Sequence, residues 1–283
     1  MLTSGISFVN FNKKNKSLRL RRNLQSIIND KNEILNSLSN NYRDSYKKNF
    51  VDKYKAFSNY RVIGMGGSIL GTRTIYEFLK HKIKKNFLFI DNLQNTLSQS
   101  KKKTVNIIVS KSGNTIETIA NSNIILKKNN KNIFVTENKK NYLYRLAENL
   151  KGEIVHHNNY IGGRYSVLSE VGMLPAELMG LKSKNFRQFN SLIKNKRFLN
   201  SLINNVGSIL YYIKNQKFNS IIINYDEKSE SLFKWYQQLV AESLGKKKKG
   251  LLPIVSNMPK DNHSVMQLYL DGFQNNFYTF FYV

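Results

Sequence analysis

The chain has 283 residues, of which 41% are hydrophobic, enough for the buried core of one large or two medium domains. It contains no cysteine, which excludes disulfides and thiolate chemistry and makes the cytoplasm the default compartment. No apolar run approaches the ~20 residues that cross a bilayer, and the N-terminus lacks the features of a secretory signal, so no membrane partner is expected.

The charge balance is strongly basic, with 45 Lys and Arg against 18 Asp and Glu and a net charge of +27. Such a balance suits a nucleic-acid binder. However, the lysines are spread along the whole chain, and no helix-turn-helix, zinc or RNA-binding signature accompanies them. Basic runs such as Lys101–Lys103 and Lys246–Lys249 are therefore interpreted as solvated loops, and no nucleic-acid partner is expected. A field of this sign attracts phosphorylated metabolites.

The chain begins with a helical segment, predicted for residues 1–58 because apolar residues recur at helical spacing from Leu18. From Tyr60 to residue 182, predicted strands alternate with helices. The NFLFID run at Asn86–Asp91 suits a strand buried on both faces, and three further strands follow. Alternation of this kind predicts a mostly parallel sheet covered by helices on both faces, with its ligand beyond the carboxyl ends of the strands.

A second alternation is predicted for residues 183–283. A polar helical connection at Ser183–Asn215 precedes a strand at Ser220–Tyr225 and a helix at Ser231–Gly245. The chain then reaches its last strand, NFYTFFYV, at Asn276–Val283. This part has few strands, so we expect the second α/β domain to be incomplete.

The segment GMGGSILG follows the first predicted strand. Gly64, Gly66 and Gly67 allow positive φ and a close approach of a ligand to the backbone, and the helix after Ser68 offers unpaired N–H groups to an anion. The spacing superficially resembles a dinucleotide-binding loop. The alternative to an anion-binding turn is a glycine turn that serves only as a tight packing point, and the two are equally favoured by this segment.

The segment SKSGNTIET lies at another predicted strand end. Ser110, Ser112, Asn114 and Thr115 surround a strand-to-helix turn, where hydroxyl and backbone N–H groups together form a phosphate cradle. The alternative is an ordinary Ser/Thr helix cap. A second serine turn at Gly66–Ser68, expected on an adjacent strand end, favours the cradle.

Three later residues have side chains suited to catalysis. Arg164, in GGRYSV, carries a permanent planar cation that can stabilise an oxyanion, although a structural salt bridge is an equal alternative. Glu242 shares a helix face with Gln238 four residues earlier, and His263 can move protons near neutral pH. A surface carboxylate and a loop histidine are the alternatives. No histidine pair stands with a carboxylate at metal-ligand spacing, so no metal is predicted.

Four segments, GMGGSILG, SKSGNTIET, GGRYSV and the pair AESLGK with DNHS, occur in the order and approximate spacing of the glucose-6-phosphate isomerase family. The chain resembles this family from about Tyr60 to its end. The family is built of two sugar isomerase (SIS) domains, so the resemblance implies two three-layer αβα domains, the second incomplete. It further implies an enzyme of glycolysis and gluconeogenesis that interconverts glucose 6-phosphate and fructose 6-phosphate through a cis-enediolate, without a cofactor.

The resemblance also assigns roles to single residues. Arg164 matches the arginine that stabilises the enediolate, Glu242 the base that moves a proton between C1 and C2, and His263 the histidine that assists ring opening. In the family this histidine reaches the site from the partner subunit, which implies a homodimer with a shared active site. The residues implied to hold the sugar phosphate are Gly67, Ser68, Ser110, Lys111, Ser112, Thr115 and Gln238.

Two departures from the family keep alternatives open. The family's late lysine, on a helix near the C-terminus, has no match before Val283, so we expect the chain to lack the C-terminal part or to be a shortened variant. The SKSGNT turn carries Gly113 and Asn114 where many relatives have an aromatic residue or threonines. The alternatives are a non-catalytic SIS-domain phosphosugar-binding protein and a bifunctional glucose/mannose-6-phosphate isomerase.

Overall fold

The computed structural model describes residues 9–10, 18–93 and 103–283. Most of the predicted N-terminal segment before Leu18, and most of the basic run at Lys101–Lys103, lie outside these residues. The described α-helices are α1 (Leu18–Asn29), α2 (Glu33–Ser37), α3 (Lys48–Tyr54), α4 (Leu70–Phe78), α5 (Ile116–Ile125), α6 (Tyr142–Leu150), α7 (Glu170–Leu178), α8 (Phe189–Leu192), α9 (Lys196–Lys214), α10 (Glu230–Leu244) and α11 (Met266–Asp271). The described strands are β1 (Asn59–Ile63), β2 (Asn86–Ile90), β3 (Thr104–Val109), β4 (Lys131–Glu137), β5 (Glu153–His157), β6 (Asn219–Asn224), β7 (Leu252–Asn257) and β8 (Asn276–Phe281).

The chain divides into two compact units, each with its own sheet. The five-stranded unit contains Asn41–Arg187 and Ser231–Leu239. The three-stranded unit contains Met1–Asn40, Gln188–Glu230 and Val240–Val283. Helix α10 thus contributes residues to both units, and the domain boundaries drawn from the sequence at 58/59 and 182/183 remain predictions.

The sheet of the five-stranded unit has the strand order β2-β1-β3-β4-β5, and every neighbouring pair is parallel. The predicted α/β class with a mostly parallel sheet is therefore confirmed. The central strands β3 and β4 are almost entirely buried. The prediction that the NFLFID strand is buried on both faces is wrong, because β2 lies at the sheet edge and leaves Leu88 53% exposed.

Alternating side chains of this sheet enter two separate hydrophobic clusters. Val62, Ile107 and Val135 belong to the cluster that includes α3, α4 and α7. Their strand neighbours Ile63 and Ile108 belong to a second cluster with α5 and α6. Because successive side chains of a strand point to opposite faces, helices cover both faces of the sheet and leave the strand ends for loops.

The three-stranded unit has the strand order β7-β6-β8, again parallel. Ile221, Ile223 and Met258 form a small buried cluster, against which α11 packs Met266. The ring of Tyr212 on α9 stacks on Phe277 of β8, with centroids 4.9 Å apart. The expected second, smaller sheet is therefore present. Across the described parts of the chain, every helix is too short or too polar to span a bilayer.

Candidate functional site

The glycine turn joins the end of β1 to α4. Its Gly66–Ser68 segment forms a short 3-10 helix, and Gly66 has a φ of +51°, which side-chain-bearing residues rarely adopt. A Cβ atom on Gly64 would lie 3.0 Å from the carbonyl oxygen of Val109, the last residue of β3. The glycine turn therefore starts beside the SKSGNT turn, at the carboxyl edge of the sheet.

Gly67 packs against the segment that contains Arg164. A Cβ atom on Gly67 would lie 2.3 Å from the carbonyl carbon of Gly163 and 2.5 Å from the amide nitrogen of Arg164. The hydroxyl of Ser166 donates a 2.6 Å hydrogen bond to the carbonyl of Gly163 and lies 3.4 Å from that of Gly67. The glycine turn is thus a tight packing point, and what it packs against is the predicted catalytic arginine segment.

The SKSGNT turn is stabilised by its own hydroxyl groups. Ser110 is only 2% exposed, and its Oγ lies 2.9 Å from Thr115 Oγ1 and accepts the Gly113 N–H at 3.2 Å. Ser112 is exposed, and its Oγ accepts the Asn114 N–H at 3.3 Å. Thr115 is the N-cap residue of α5 but makes no side-chain capping bond, so the plain helix-cap alternative does not account for its hydroxyl.

Asn141 supports this turn from behind and was not singled out by the sequence reasoning. Its Oδ1 caps α6 by accepting the Tyr144 N–H at 2.9 Å, and a Cβ atom on Gly113 would lie 2.0 Å from that oxygen. Gly113 has a φ of +66°, and its carbonyl accepts the Leu143 N–H at 3.1 Å. An Asn directly before the apolar periodicity of α6 is the signal that identifies the cap in the sequence.

Lys111 connects the SKSGNT turn to the loop after β5. Its Nζ donates a 2.6 Å hydrogen bond to the carbonyl of Asn159. That loop runs on into the glycines before Arg164. The ammonium group of Lys111 therefore contacts the backbone that leads to Arg164. It also adds a positive charge near the SKSGNT turn.

The arginine segment is a 3-10 helix from Gly163 to Leu168. The Arg164 guanidinium carbon lies 4.6 Å from the centroid of the Tyr165 ring, within the range of a cation–π contact. The carbonyl of Arg164 accepts a 3.0 Å hydrogen bond from the indole nitrogen of Trp235 on α10. Trp235 is a second residue to which the sequence reasoning gave no role.

A buried polar network joins the residues on either side of the arginine segment. His157 Nε2 contacts the carbonyl of Ile161 at 3.0 Å, and His157 Nδ1 lies 3.5 Å from Glu170 Oε2. Tyr42 donates a 3.0 Å hydrogen bond to Glu170 Oε1. Burial alone would raise the pKa of Glu170, but the adjacent His157 imidazole and hydrogen bonds from the backbone and Tyr42 outweigh it and lower this pKa. Burial, followed by the charge of Glu170, raises the pKa of Tyr42 well above its usual range.

Helix α10 brings a predicted substrate-binding residue to the glycine turn. A Cβ atom on Gly66 would lie 2.8 Å from Gln238 Nε2, so this amide lies directly over the turn. Trp235 and Gln238 are three residues apart and therefore share a helix face. The five-stranded unit thus contains the predicted residues Gly67, Ser68, Ser110, Lys111, Ser112, Thr115, Arg164 and Gln238.

Glu242 and His263 belong to the three-stranded unit, and both are exposed. Glu242 lies near the end of α10, and His263 ends the 3-10 helix Lys260–His263. Their catalytic roles remain predictions. Within residues 18–93 and 103–283, no group of three or more His, Cys, Asp or Glu side chains is arranged to hold a metal ion.

The fold is that of an α/β protein. Its glycine turn and its SKSGNT turn lie at the carboxyl edge of a parallel sheet, where proteins of this class bind their ligands. A profile of the phosphoglucose isomerase family matches residues 15–251, and the chain belongs to this family. The resemblance inferred from the four sequence segments is therefore confirmed.

Similar proteins support the same family. The glucose-6-phosphate isomerase of Methanocaldococcus jannaschii is 37% identical over 259 residues, which cover 84% of this chain and 64% of the relative. That of Campylobacter jejuni is 29% identical and covers 82% of this chain and 62% of the relative. This chain thus spans less than two thirds of the length of these relatives. A hypothetical protein from Thermus thermophilus shares the fold, with a TM-score of 0.73 and 24% identity over 93% of this chain and 69% of that chain.

Proposed function

We propose that this protein is a glucose-6-phosphate isomerase that interconverts glucose 6-phosphate and fructose 6-phosphate through a cis-enediolate. The observation that carries the proposal is the backbone contact between Gly67 and Arg164, beside the SKSGNT turn. The contact brings the backbone of the arginine segment against the glycine turn, which supports a role for the Arg164 cation at a site for a phosphorylated ligand. Family membership and the names of the relatives from M. jannaschii and C. jejuni agree with this activity.

The phosphate group is proposed to bind at the start of α5. The exposed hydroxyl of Ser112 and the half-buried hydroxyl of Thr115 are within the turn, and the first amides of a helix favour an anion. Buried Ser110 supports this site by holding the Thr115 hydroxyl in place. The glycine turn is proposed to add the Gly67 backbone and the Ser68 hydroxyl, since the Ser68 N–H already donates to the carbonyl of Met65. Binding energy from this remote group positions the reacting carbons.

Proton transfer requires one base, because the same carboxylate can accept a proton from C2 and return it at C1. Glu242 is proposed as this base. Arg164 is proposed to stabilise the negative oxygen of the enediolate, since a guanidinium stays charged at every working pH. Gln238 is proposed to contact the substrate over the glycine turn, and His263 to assist ring opening.

The proposed partner is a second copy of this chain, with His263 contributed across the interface as the family resemblance implies. A homodimer of this kind has two such shared sites, related by its two-fold axis. The cytoplasm is the proposed location and glycolysis with gluconeogenesis the proposed context, because these agree with a sugar-phosphate substrate and a chain without cysteine.

The proposal is tested by coupling the conversion of fructose 6-phosphate to an NADP-dependent glucose-6-phosphate dehydrogenase. Glu242→Gln is expected to lower kcat by about a thousandfold, within the range of general-base catalysis, while fructose 6-phosphate binding in a calorimeter is retained. Glu230→Gln, an exposed carboxylate at the start of the same helix, is the matched control and should leave kcat unchanged. Binding without turnover in the wild-type protein would favour the phosphosugar-binding alternative. Full turnover in Glu242→Gln would remove Glu242 from its role.

A further inference from the structure

Trp235 is the only tryptophan of the chain, and it touches the predicted catalytic arginine through the backbone. Its indole nitrogen donates a 3.0 Å hydrogen bond to the carbonyl of Arg164. The ring is half-buried. It packs against the hydrophobic cluster that the five-stranded sheet forms with α3, α4 and α7. A side chain held by this cluster is well placed to hold a loop in turn.

The segment around Arg164 needs such support because Gly162 and Gly163 precede it. Glycine has the largest conformational freedom of any residue, so the arginine follows a stretch with little rigidity of its own. Gly67 packs against the amide side of Arg164, and Trp235 binds its carbonyl side. The two contacts together hold the backbone on both sides of the Arg164 Cα, while the guanidinium lies against the Tyr165 ring.

We propose that Trp235 is a positioning residue for Arg164: its indole N–H fixes the backbone from which the guanidinium extends toward the developing oxyanion. The inference rests on the proposed isomerase function. A fixed donor stabilises a transition state because it needs no reorganisation at the moment of reaction. A displacement of about 1 Å in such a group can cost about a hundredfold in rate.

Kinetics of Trp235→Phe test this role, since phenylalanine retains most of the ring packing and lacks the N–H. We expect kcat to fall by about ten- to a hundredfold, with the KM for fructose 6-phosphate within about twofold, because the SKSGNT turn is untouched. The matched control is Tyr60→Phe, which also removes an aromatic donor to a backbone carbonyl in the same unit, the 2.8 Å bond to Tyr54. Tyr60→Phe should keep the wild-type kcat.

A double-mutant cycle separates positioning from a general structural effect. If Trp235 acts through the guanidinium, Trp235→Phe should change kcat by less than about twofold in the Arg164→Ala background. A fall in that background as large as in the wild type would overturn the inference. An unchanged kcat for Trp235→Phe in an active wild-type protein would also overturn it and leave the proposed function intact.

The single indole gives a readout that does not depend on turnover. In ¹⁵N-labelled protein, the one Trp indole signal is expected to shift when fructose 6-phosphate is added, and to stay in place in Arg164→Ala, which keeps the carbonyl but lacks the guanidinium. An equal shift in both proteins would overturn the inference. Absence of wild-type turnover would contradict the proposed function. If the indole signal of the wild-type protein also failed to shift on addition of fructose 6-phosphate, the role of Trp235 would be contradicted as well.

Discussion

Gly67 and Gly163 meet backbone to backbone, so closely that a Cβ atom on Gly67 would lie 2.3 Å from the carbonyl carbon of Gly163. Gly67→Ala is therefore expected to lower the free energy of unfolding by about 3 kcal/mol, because backbone on the other side cannot move aside as a flexible side chain can. Urea unfolding followed by the fluorescence of Trp235 measures the change within the five-stranded unit.

Gly163→Ala is the control from the other side of the same contact. A Cβ atom on Gly163 would meet no heavy atom within 4 Å, and its φ is not in the left-handed region. We expect Gly163→Ala to change the free energy of unfolding by less than about 1 kcal/mol. Equal losses for both substitutions would contradict the proposed packing of the two turns.

The hydroxyl of Thr115 is expected to bind the substrate phosphate. Thr115→Val keeps the shape of the side chain and removes this hydroxyl, so the KM for fructose 6-phosphate should rise about tenfold or more, as for a lost hydrogen bond to a charged group. The kcat should change less, because the hydroxyl is remote from the reacting carbons. Steady-state kinetics measure KM and kcat, and titration with inorganic phosphate measures phosphate binding directly.

Ser122→Ala is the matched control for the phosphate site. Ser122 lies on the same helix, α5, where its buried hydroxyl donates to the carbonyl of Thr118. The substitution removes a hydrogen bond in the helix and should leave KM unchanged. A rise in KM equal to that of Thr115→Val would assign the effect to helix stability instead of phosphate binding.

The buried carboxylate of Glu170 is expected to make stability depend on pH. Its pKa in the folded protein is lowered from the ordinary value of 4.5, because the adjacent His157 imidazole and hydrogen bonds from the backbone and Tyr42 outweigh its burial. A lowered folded pKa contributes stability above about pH 4.5, and that stability is lost as the pH falls through the folded pKa. Glu170→Gln should therefore lower the free energy of unfolding by about 2 kcal/mol at pH 7, and the difference from wild type should shrink below pH 4.

Urea unfolding at pH 7 and at pH 3.5 measures this difference. Glu153→Gln is the control, since Glu153 forms an exposed ion pair with Lys53, and such pairs contribute less than about 1 kcal/mol. A difference between wild type and Glu170→Gln that stays constant over this pH range would contradict the role of the carboxylate charge.

The proposed shared site predicts complementation between two inactive proteins. Glu242→Gln and His263→Ala are each expected to lose most of their turnover. Unfolding and refolding them together in equal amounts should restore about a quarter of the wild-type turnover, because half of the dimers are mixed and each mixed dimer has one intact site. Refolding either variant alone is the control. No recovery, despite a dimer in analytical ultracentrifugation, would place His263 in the site of its own subunit.

Local patterns in the sequence predicted much of the fold and several candidate site residues. The alternation of apolar runs with amphipathic helices identified β1–β5, and glycine and serine clusters marked the turns after β1 and β3. The same patterns predicted the strand β2 correctly but not its burial, because an apolar run reports hydrophobicity and not whether a strand lies at the centre or the edge of a sheet.

The sequence by itself determined the α/β class, the family and the chemical types of the turn residues, because strand and helix periodicity and turn chemistry depend on residues close together in the chain. Only the tertiary structure decided which turns meet. Gly67 packs against Gly163, Lys111 reaches Asn159, and Trp235 binds Arg164 across 71 positions of sequence. These contacts arise from strand order and helix packing, which bring together residues that are far apart in the chain. Such contacts leave no periodic pattern in the sequence from which they could be predicted.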